Sequence, residues 1–372
     1  MDLTTGFKIG TVRSIEIRVH WSWIFIFTLI TWSLAEGFFG TQFPEWSDGE
    51  RWGWAAGTSV MFFGSVLFHE LSHAFVAQSF GMVVPSITLF IFGGVSNIGG
   101  EMRTAGQEFR IAIAGPLSSW VLAAIFVGLA LVFADSNAGE VLAYLGLVNF
   151  VLGAFNLLPG FPLDGGRIFR AAVWKSTGDY TKATRWATTG GKWLAYALIA
   201  FGLLSVFQGN LGGLWLVLIG WFLRNAAIAS YQQHLLHQVL EHVRASDAMT
   251  PDPETVPPDL TLQELVDDHF LKRRFHAFPV ASNGRPLGLI TLGQVKEVPR
   301  EEWSRRTVAE TMTSVEGDGV TVRPDEPMTD VLQKMEKSGS RRVLVTRDGH
   351  LEGIITTGDV AGWLQRAREL EG

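Results

Sequence analysis

The first 230 residues of this chain contain six apolar runs, each long enough to cross a lipid bilayer as a helix. The runs lie at 21–40, 54–80, 109–134, 141–160, 192–208 and 211–230. A bilayer offers no water to exposed backbone groups, so such segments are expected to be α-helical. The last two runs are short and separated by Gln208-Gly209-Asn210, which leaves a re-entrant hairpin as the alternative there. The sequence predicts a polytopic α-helical membrane domain over residues 1–230.

Positive charge is distributed unevenly between the predicted loops. Basic residues precede the first run and follow the fourth, whereas the loops at 134–140 and 208–212 contain neither Lys nor Arg. The basic residues concerned are Lys8, Arg13, Arg18, Arg167, Arg170, Lys175, Lys182, Arg185 and Lys192. Because Lys and Arg accumulate in cytoplasmic loops, six spans with both termini in the cytoplasm are predicted. The expected location is the cell membrane of a prokaryote.

A polar cluster, His69-Glu70-Leu71-Ser72-His73, interrupts the second apolar run. Ionisable groups are costly in a membrane and usually functional. Residues i and i+4 share one face of a helix, so His69 and His73 can offer two imidazoles to one Zn²⁺, with Glu70 beside the water that zinc activates. The pattern is typical of zinc metalloproteases. Buried structural histidines are the alternative interpretation.

A catalytic zinc site needs a third protein ligand and an open position for water. The chain has no cysteine, so that ligand must be His or a carboxylate. The best candidate is Asp164, which follows two prolines and precedes two glycines at the end of the fourth run. Irregular backbone at membrane depth is tolerated only where it is buried in protein or lines a wet cavity, so this segment is expected to face the zinc. Asp135, Glu101 and Glu108 are weaker candidates, and a solvated turn at Asp164 is the non-functional interpretation.

The pairing of H-E-L-S-H with N-L-L-P-G-F-P-L-D-G-G-R (156–167) resembles the site-2 protease family of intramembrane zinc metalloproteases. The resemblance covers about residues 1–230. It implies that His69, His73 and Asp164 bind one Zn²⁺ and that Glu70 acts as general base and then general acid. It also implies that Asn156 positions or polarises the substrate carbonyl, and that the substrate is a membrane-spanning protein.

Residues 85–98 supply a candidate substrate clamp. A peptide bond inside a membrane helix is already hydrogen-bonded, so a substrate must be held extended to be cut. The β-forming start of this segment and its Gly93-Gly94 pair suit a strand or a re-entrant hairpin that pairs with the substrate by β-augmentation. The alternating pattern of Thr11 to His20 predicts a second strand. A purely structural hairpin is the alternative.

The C-terminal part of the chain contains an internal repeat. Ala248-Met-Thr-Pro251 and the later Gly288-Leu-Ile-Thr291 are echoed by Thr311-Met-Thr-Ser314 and Gly353-Ile-Ile-Thr356. Over about 246–370 the repeat resembles a pair of CBS modules, an α/β fold that often binds adenine nucleotides such as ATP or AMP.

The resemblance to CBS modules implies one good nucleotide site at most. In the second copy, Thr356 and Asp359 match the residues that hold phosphate and ribose. The first copy has Gln294 where the ribose-binding aspartate is expected, and a neutral amide accepts hydrogen bonds less strongly than a carboxylate. A structural or dimerising module, which would make the protein a homodimer, is the alternative.

The predicted organisation is a protease domain at 1–230, a helical linker at 231–246, and CBS modules at 247–300 and 305–370. The linker residues His234, His237, Glu241 and His242 resemble a second metal site, although a solvated helix face is the preferred interpretation. The net charge of −6 argues against nucleic acid as a partner. A CBS-regulated transporter or channel is the alternative function, but it would have no need of Glu70 between two histidines.

Overall fold

The computed structural model describes residues 6–99, 102–241, 243–315 and 321–371. The chain divides into two compact units, Met1–Gln232 and Gln233–Gly372. The sequence-predicted boundary at residue 230 lies within a helix that continues to Glu241.

Within the described residues, six helical segments of the first unit are long and apolar enough to cross a membrane. They are Ser22–Gln42, Asp48–Ser79, Ala105–Val132, Asn137–Asn156, Tyr180–Phe207 and Gly213–Gln232. The first span consists of α1 (Ser22–Trp32), a π-helical turn (Ser33–Phe39) and α2 (Gly40–Gln42). The others belong to α3 (Asp48–Ser79), α4 (Ala105–Val132), α5 (Asn137–Asn156), α7 (Tyr180–Phe207) and α8 (Gly213–Glu241). The prediction of a polytopic α-helical membrane domain is confirmed.

The fifth span differs from its prediction. It starts at Tyr180 and not at residue 192. The helices α7 and α8 are both long enough to span the membrane, so they do not form the re-entrant hairpin that was the alternative here. The N-terminal half of α7 contains Lys182, Arg185 and Lys192, and these charges interrupt its apolar sequence. Long basic side chains reach the membrane surface from such positions, so a spanning helix tolerates them near its end.

Polar caps start several of these helices. Ser47 and Glu50 form a reciprocal capping box at α3, and Asp179 accepts a hydrogen bond from the Lys182 backbone N–H at α7. Such caps satisfy backbone donors that the first helical turn leaves without partners. Between α5 and α7 lies the shorter, amphipathic α6 (Asp164–Thr177), which begins at the predicted third zinc ligand.

A four-stranded sheet with the order β1-β2-β3-β4 packs against α3. Its strands are β1 (Gly6–Val12), β2 (Ile15–His20), β3 (Ser86–Phe90) and β4 (Gly93–Asn97). The β2/β3 pair is parallel and the other two pairs are antiparallel. Because β4 is the last strand in this order, it is an edge strand. Ile15, Ile17 and Ile87 of this sheet are buried against Ala74 and Ala77 of α3.

The second unit contains two α/β modules. Its helices are α9 (Ala245–Ala248), α10 (Leu262–Glu264) with a following π-helical turn (Leu265–Phe270), α11 (Leu292–Glu297), a 3₁₀ turn (Arg300–Glu302), α12 (Met328–Ser338) and α13 (Thr357–Glu371). Its strands are β5 (Thr250–Pro251), β6 (Ala277–Ser282), β7 (Arg285–Thr291), β8 (Thr313–Ser314), β9 (Thr321–Val322), β10 (Arg342–Arg347) and β11 (His350–Thr356).

The two modules exchange their first strands. β5, the first strand of the first repeat, pairs with β11 of the second, whereas β8, the first strand of the second repeat, pairs with β7 of the first. A shared core of Ala277, Leu289, Leu344 and Ile354 joins the modules. The repeat units visible in the sequence therefore do not coincide with the sheets that they build.

Candidate metal centre

Three ligand atoms from two helices converge in the first unit. His69 and His73 lie one turn apart on α3, and Asp164 is the first residue of α6. The two Nε2 atoms are 3.2 Å apart, and Asp164 Oδ2 lies 3.1 Å from each. Within the described residues this is the one group of three or more His, Asp or Glu side chains arranged to hold a metal ion.

The spacing of these atoms fits a tetrahedral zinc ion. Zinc–nitrogen and zinc–oxygen bonds are about 2.0–2.2 Å, so neighbouring tetrahedral ligands lie roughly 3.3–3.5 Å apart. Burial alone would raise the pKa of Asp164, but the charges and hydrogen bonds of His73 and His69 outweigh it and hold that pKa well below its usual range. A lowered pKa favours the ionised form of Asp164, which is the form that binds a metal.

The other ring nitrogen of each histidine is also engaged. His69 Nδ1 lies 2.9 Å from the Ser119 hydroxyl, and His73 Nδ1 lies 2.7 Å from the Ile111 carbonyl oxygen, both on α4. A carbonyl only accepts, so His73 carries a proton on Nδ1, and Nε2 is the ring nitrogen that faces Asp164 and that a metal would bind in place of a proton. Outer partners of this kind fix the orientation and tautomer of histidine ligands. Sequence reasoning missed Ser119, because nothing in the local pattern of α4 marks it.

Gly115 of α4 closes one side of the centre. A Cβ atom at this position would lie 2.2 Å from His73 Nε2 and 2.5 Å from His69 Nε2. Any larger residue would occupy the space where the two imidazoles converge. The α4 backbone therefore forms a close wall beside the ligand atoms.

Glu70 lies between the two histidines and faces the edge strand β4. Its Oε2 accepts a hydrogen bond of 2.6 Å from the Ser96 hydroxyl. A Cβ atom at Gly94 would lie 2.5 Å from Glu70 Cγ, so β4 passes directly over this carboxylate. The predicted hairpin thus lies beside the candidate centre, with Gly93 at the start of β4 in a left-handed conformation (φ 129°).

Asn156 is the last residue of α5 and is not part of the converging group. Its amide donates a 3.0 Å hydrogen bond to the Leu152 carbonyl of its own helix. A second asparagine, Asn149, is fully buried and donates to the Ser65 hydroxyl at 3.2 Å. Ser65 lies one turn before His69, so this bond ties α5 to the ligand-bearing part of α3.

Glu108, one of the alternative ligand candidates, has a different partner. Its buried carboxylate is paired with Arg170 of α6, whose Nε donates at 2.7 Å. The Arg170 guanidinium also lies over the rings of Phe161 and Tyr180, at 4.8 and 4.7 Å. This pair connects α4 to the helix that begins at Asp164, and it leaves Glu108 outside the ligand group. Asp135 is exposed, and Glu101 lies outside the described residues.

The two CBS-like modules repeat one local arrangement. Asp359 Oδ2 accepts hydrogen bonds from the Thr356 backbone and hydroxyl, and its Oδ1 accepts from Thr250. In the first module Gln294 Oε1 accepts from Thr291 in the same way, and its Nε2 donates to Thr313. Both side chains therefore lie in the first turn of a helix and help to cap its start.

The predicted linker histidines lie at and beyond the end of α8. His234 lies on α8, whereas His242 and the side chains of His237 and Glu241 lie outside the described residues.

Comparison with known proteins adds family matches for both units. The model of peptidase family M50 matches residues 57–135 and 131–203, and the CBS domain model matches 245–301 and 308–366. "Putative zinc metalloprotease Rip3" of Mycobacterium tuberculosis is 39% identical over 95% of this chain and 91% of its own length. "Zinc metalloprotease MJ0392" of Methanocaldococcus jannaschii is 34% identical over 81% of this chain and 83% of its own length.

One solved structure is related to this chain in sequence. "Site-2 Protease from Methanocaldococcus jannaschii" is 31% identical, covers 60% of this chain and 94% of its own, and superimposes with a TM-score of 0.46.

Proposed function

Since this chain belongs to peptidase family M50 and is an integral membrane zinc metalloprotease of the site-2 type, we propose that it cleaves transmembrane segments of membrane-tethered proteins, with His69, His73 and Asp164 as ligands of one zinc ion. The observation that carries the ligand assignment is the convergence of their three donor atoms within 3.2 Å. The Ser119 and Ile111 partners support it, because they engage both Nδ1 atoms, so that both Nε2 atoms face the point where the three ligands converge.

A bound zinc ion supplies a Lewis acid that lowers the pKa of water and polarises a peptide carbonyl. The residues of the chain handle the protons. Glu70 takes a proton from the attacking water at its carboxylate and returns it to the leaving amine nitrogen. Ser96 holds one Glu70 oxygen at 2.6 Å, which orients the carboxylate. Glu70 is only partly buried.

Asn156 is proposed to help hold the substrate carbonyl. Its amide nitrogen donates one hydrogen bond to the Leu152 carbonyl and carries a second N–H, which is the group proposed to hold the substrate carbonyl. The alternative is a structural role at the end of α5.

The edge strand β4 is proposed as the substrate clamp, with Gly93 and Gly94 allowing a close approach. One edge of β4 is paired with β3, whereas the other has no strand partner among the described residues. An unwound substrate segment can add to that edge through backbone hydrogen bonds. Because β4 passes over Glu70, a substrate strand added there would lie beside the proposed base.

The second unit is proposed to regulate or dimerise the protease from the cytoplasm. Thr356 and Asp359 provide hydroxyl and carboxylate groups for an adenine nucleotide, although both are engaged in capping hydrogen bonds that a nucleotide would have to share. The uneven distribution of Lys and Arg supports cytoplasmic termini in the cell membrane of a prokaryote. The transporter alternative has no comparable support, since the family matches over the membrane domain are to metalloproteases.

Zinc content tests the ligand set without knowledge of the substrate. We expect about one zinc per chain in purified wild type and much less in Asp164→Ala, measured by inductively coupled plasma mass spectrometry. Asp135→Ala is the matched control, because Asp135 is an exposed aspartate that should not affect the metal. Absence of zinc from wild type, or full retention in Asp164→Ala, would overturn the assignment.

Cleavage itself is tested in proteoliposomes. A library of single-span membrane proteins is incubated with wild type and with Glu70→Gln, and new termini are mapped by mass spectrometry. We expect termini inside transmembrane segments with wild type alone. Products that are confined to soluble regions, or that also appear with Glu70→Gln, would contradict intramembrane proteolysis by this site.

A further inference from the structure

A large groove in the first unit lies away from the proposed metal centre. It has a volume of about 920 Å³ and is formed by α6, α7, Tyr231 of α8 and the loop at Pro159. Its α7 wall consists of one helical face, because Lys182, Trp186, Thr189 and Trp193 are spaced by three or four residues.

The chemistry of the groove changes along α7. At the N-terminal end, the exposed cations Lys182 and Arg185 line it together with Thr181. Asp179 is the one carboxylate in the lining, and it accepts a hydrogen bond from the Lys182 backbone N–H. The lining therefore has two positive charges against one negative charge, and the negative charge is directed into the helix end.

Farther along α7 the lining becomes aromatic. Trp186 is 50% exposed and Trp193 is 71% exposed, and the Lys182 ammonium lies 5.7 Å from the Trp186 ring. Tryptophan rings and basic side chains at the end of a membrane-spanning helix are characteristic of the region where lipid headgroups meet acyl chains. The groove thus combines cations at one end of α7 with exposed indole rings farther along it, which suits a charged headgroup joined to an acyl chain.

We propose that this groove binds an anionic phospholipid. Its phosphodiester contacts Lys182 and Arg185, and one acyl chain lies along Trp186 and Trp193. The excess positive charge favours a lipid with a net negative charge over a zwitterionic one, whose own ammonium group would be repelled by these side chains. A free phosphate compound would use the cations but leave the indole face exposed.

The floor of the groove is the loop that leads to Asp164. Pro159 lines it, and Gly190 of α7 packs so closely that a Cβ there would lie 2.5 Å from the Pro159 carbonyl oxygen. A lipid in the groove therefore contacts the back of the segment that positions the third proposed ligand.

The test is native mass spectrometry of the full-length protein after incubation with equal amounts of dioleoylphosphatidylglycerol and dioleoylphosphatidylcholine. We expect wild type to retain one phosphatidylglycerol preferentially. The Lys182→Gln/Arg185→Gln variant should bind it roughly 10- to 30-fold more weakly, since each basic residue near an anionic headgroup contributes about a factor of five. Arg103→Gln/Lys175→Gln is the matched control, because it removes two exposed positive charges outside the groove and should bind as wild type does.

Three further measurements keep the outcome unambiguous. The Lys182→Arg/Arg185→Lys variant should retain the lipid, which separates loss of charge from misfolding, and Trp193→Ala should weaken it. Glycerol 3-phosphate at millimolar concentration should not displace it. Equal retention of both lipids, equal loss in the control variant, or displacement by glycerol 3-phosphate would overturn the proposal.

Discussion

At the residue scale, the proposed zinc site depends on groups that are not themselves metal ligands. His69 and His73 are fixed at Nδ1 by Ser119 and by the Ile111 carbonyl, and both contacts come from α4. The H-E-x-x-H spacing makes two histidines share a face, but only the neighbouring helix determines which nitrogen of each ring is free.

Removing one outer partner should weaken zinc binding. In Ser119→Ala the His69 ring loses its 2.9 Å partner, and we expect zinc affinity to fall by about 10- to 100-fold. Competition with a chromogenic chelator measures this affinity. Ser118→Ala is the matched control, because the Ser118 hydroxyl donates to the Gly115 carbonyl and not to a histidine. Equal affinities in the two variants would show that Ser119 does not position His69.

Replacing the proposed base should separate metal binding from catalysis. Glu70→Gln keeps the shape of the side chain but cannot take a proton, so we expect kcat to fall by roughly 10²–10⁴ while zinc remains near one per chain. The measurement pairs zinc content with cleavage of a reconstituted substrate. Substantial turnover by zinc-loaded Glu70→Gln would exclude the proposed role.

The sequence predicted the three candidate ligands and the base because each lies in a short pattern: His69, Glu70 and His73 within one helical turn, and Asp164 at a helix start marked by prolines and glycines. It did not predict Ser119, nor the Asn149–Ser65 bond. These contacts join residues far apart in sequence, and no local periodicity encodes which serine of α4 faces α3.

At the element scale, the position of α6 depends on a buried ion pair. Arg170 of α6 is paired with Glu108 of α4, and the Glu108 side chain is 1% exposed. A buried carboxylate without its cation is strongly unfavourable, whereas removal of both charges together is often tolerated.

Removing one partner of this ion pair should destabilise the protein more than removing both partners. Arg170→Leu leaves Glu108 uncompensated, and we expect a loss of about 3–5 kcal/mol and a clearly lower Tm in detergent. The double variant Glu108→Leu/Arg170→Leu should recover most of the loss. Lys175→Leu, an exposed charge on the same helix, is the control. A double variant as unstable as Arg170→Leu would show that packing, and not the unpaired charge, causes the loss.

The closeness of β4 to Glu70 gives a second test at this scale. In Gly94→Ala the new methyl group would lie 2.5 Å from Glu70 Cγ, so either the strand or the carboxylate must move. We expect kcat to fall by about 10-fold or more, since small misplacements of a catalytic group are costly. Zinc content should not change. Gly64→Ala, on the helix of Glu70 but with open space around its Cβ position, should keep its activity.

Sequence patterns predicted an element well where all of its residues share one environment. They predicted it less well where the element passes from water into lipid or depends on pairing with a distant strand. The Gly-Gly pair at 93–94 predicted the hairpin, but the single strand predicted over Thr11–His20 is divided by a turn at Arg13 and Ser14, and only Ile15–His20 forms β2. The start of α7 was missed because a helix that begins in water and ends in lipid has no uniform composition. The exchange of β5 and β8 between modules was missed because it follows from tertiary pairing.

At the scale of the whole molecule, the chain combines a membrane protease with a second unit that has its own cores. Val331 and Val343 belong to one buried cluster of that unit, and Leu262 and Phe278 to another. The modules offer similar helix caps, yet one has a carboxylate at Asp359 where the other has the Gln294 amide. This single difference makes the pair chemically asymmetric.

That asymmetry predicts one nucleotide per chain. A ribose hydroxyl donates a stronger hydrogen bond to a carboxylate than to an amide oxygen, so ATP or AMP should bind at the Thr356–Asp359 end. By isothermal titration calorimetry of the full-length protein, we expect Asp359→Ala to lower affinity by about 10-fold or more, because the loss of a charge-assisted bond costs roughly 1.5–3 kcal/mol. Gln294→Ala is the matched control in the other module and should bind as wild type does. Absence of heat at millimolar ATP and AMP, or equal losses in the two variants, would favour a purely structural or dimerising role for the modules.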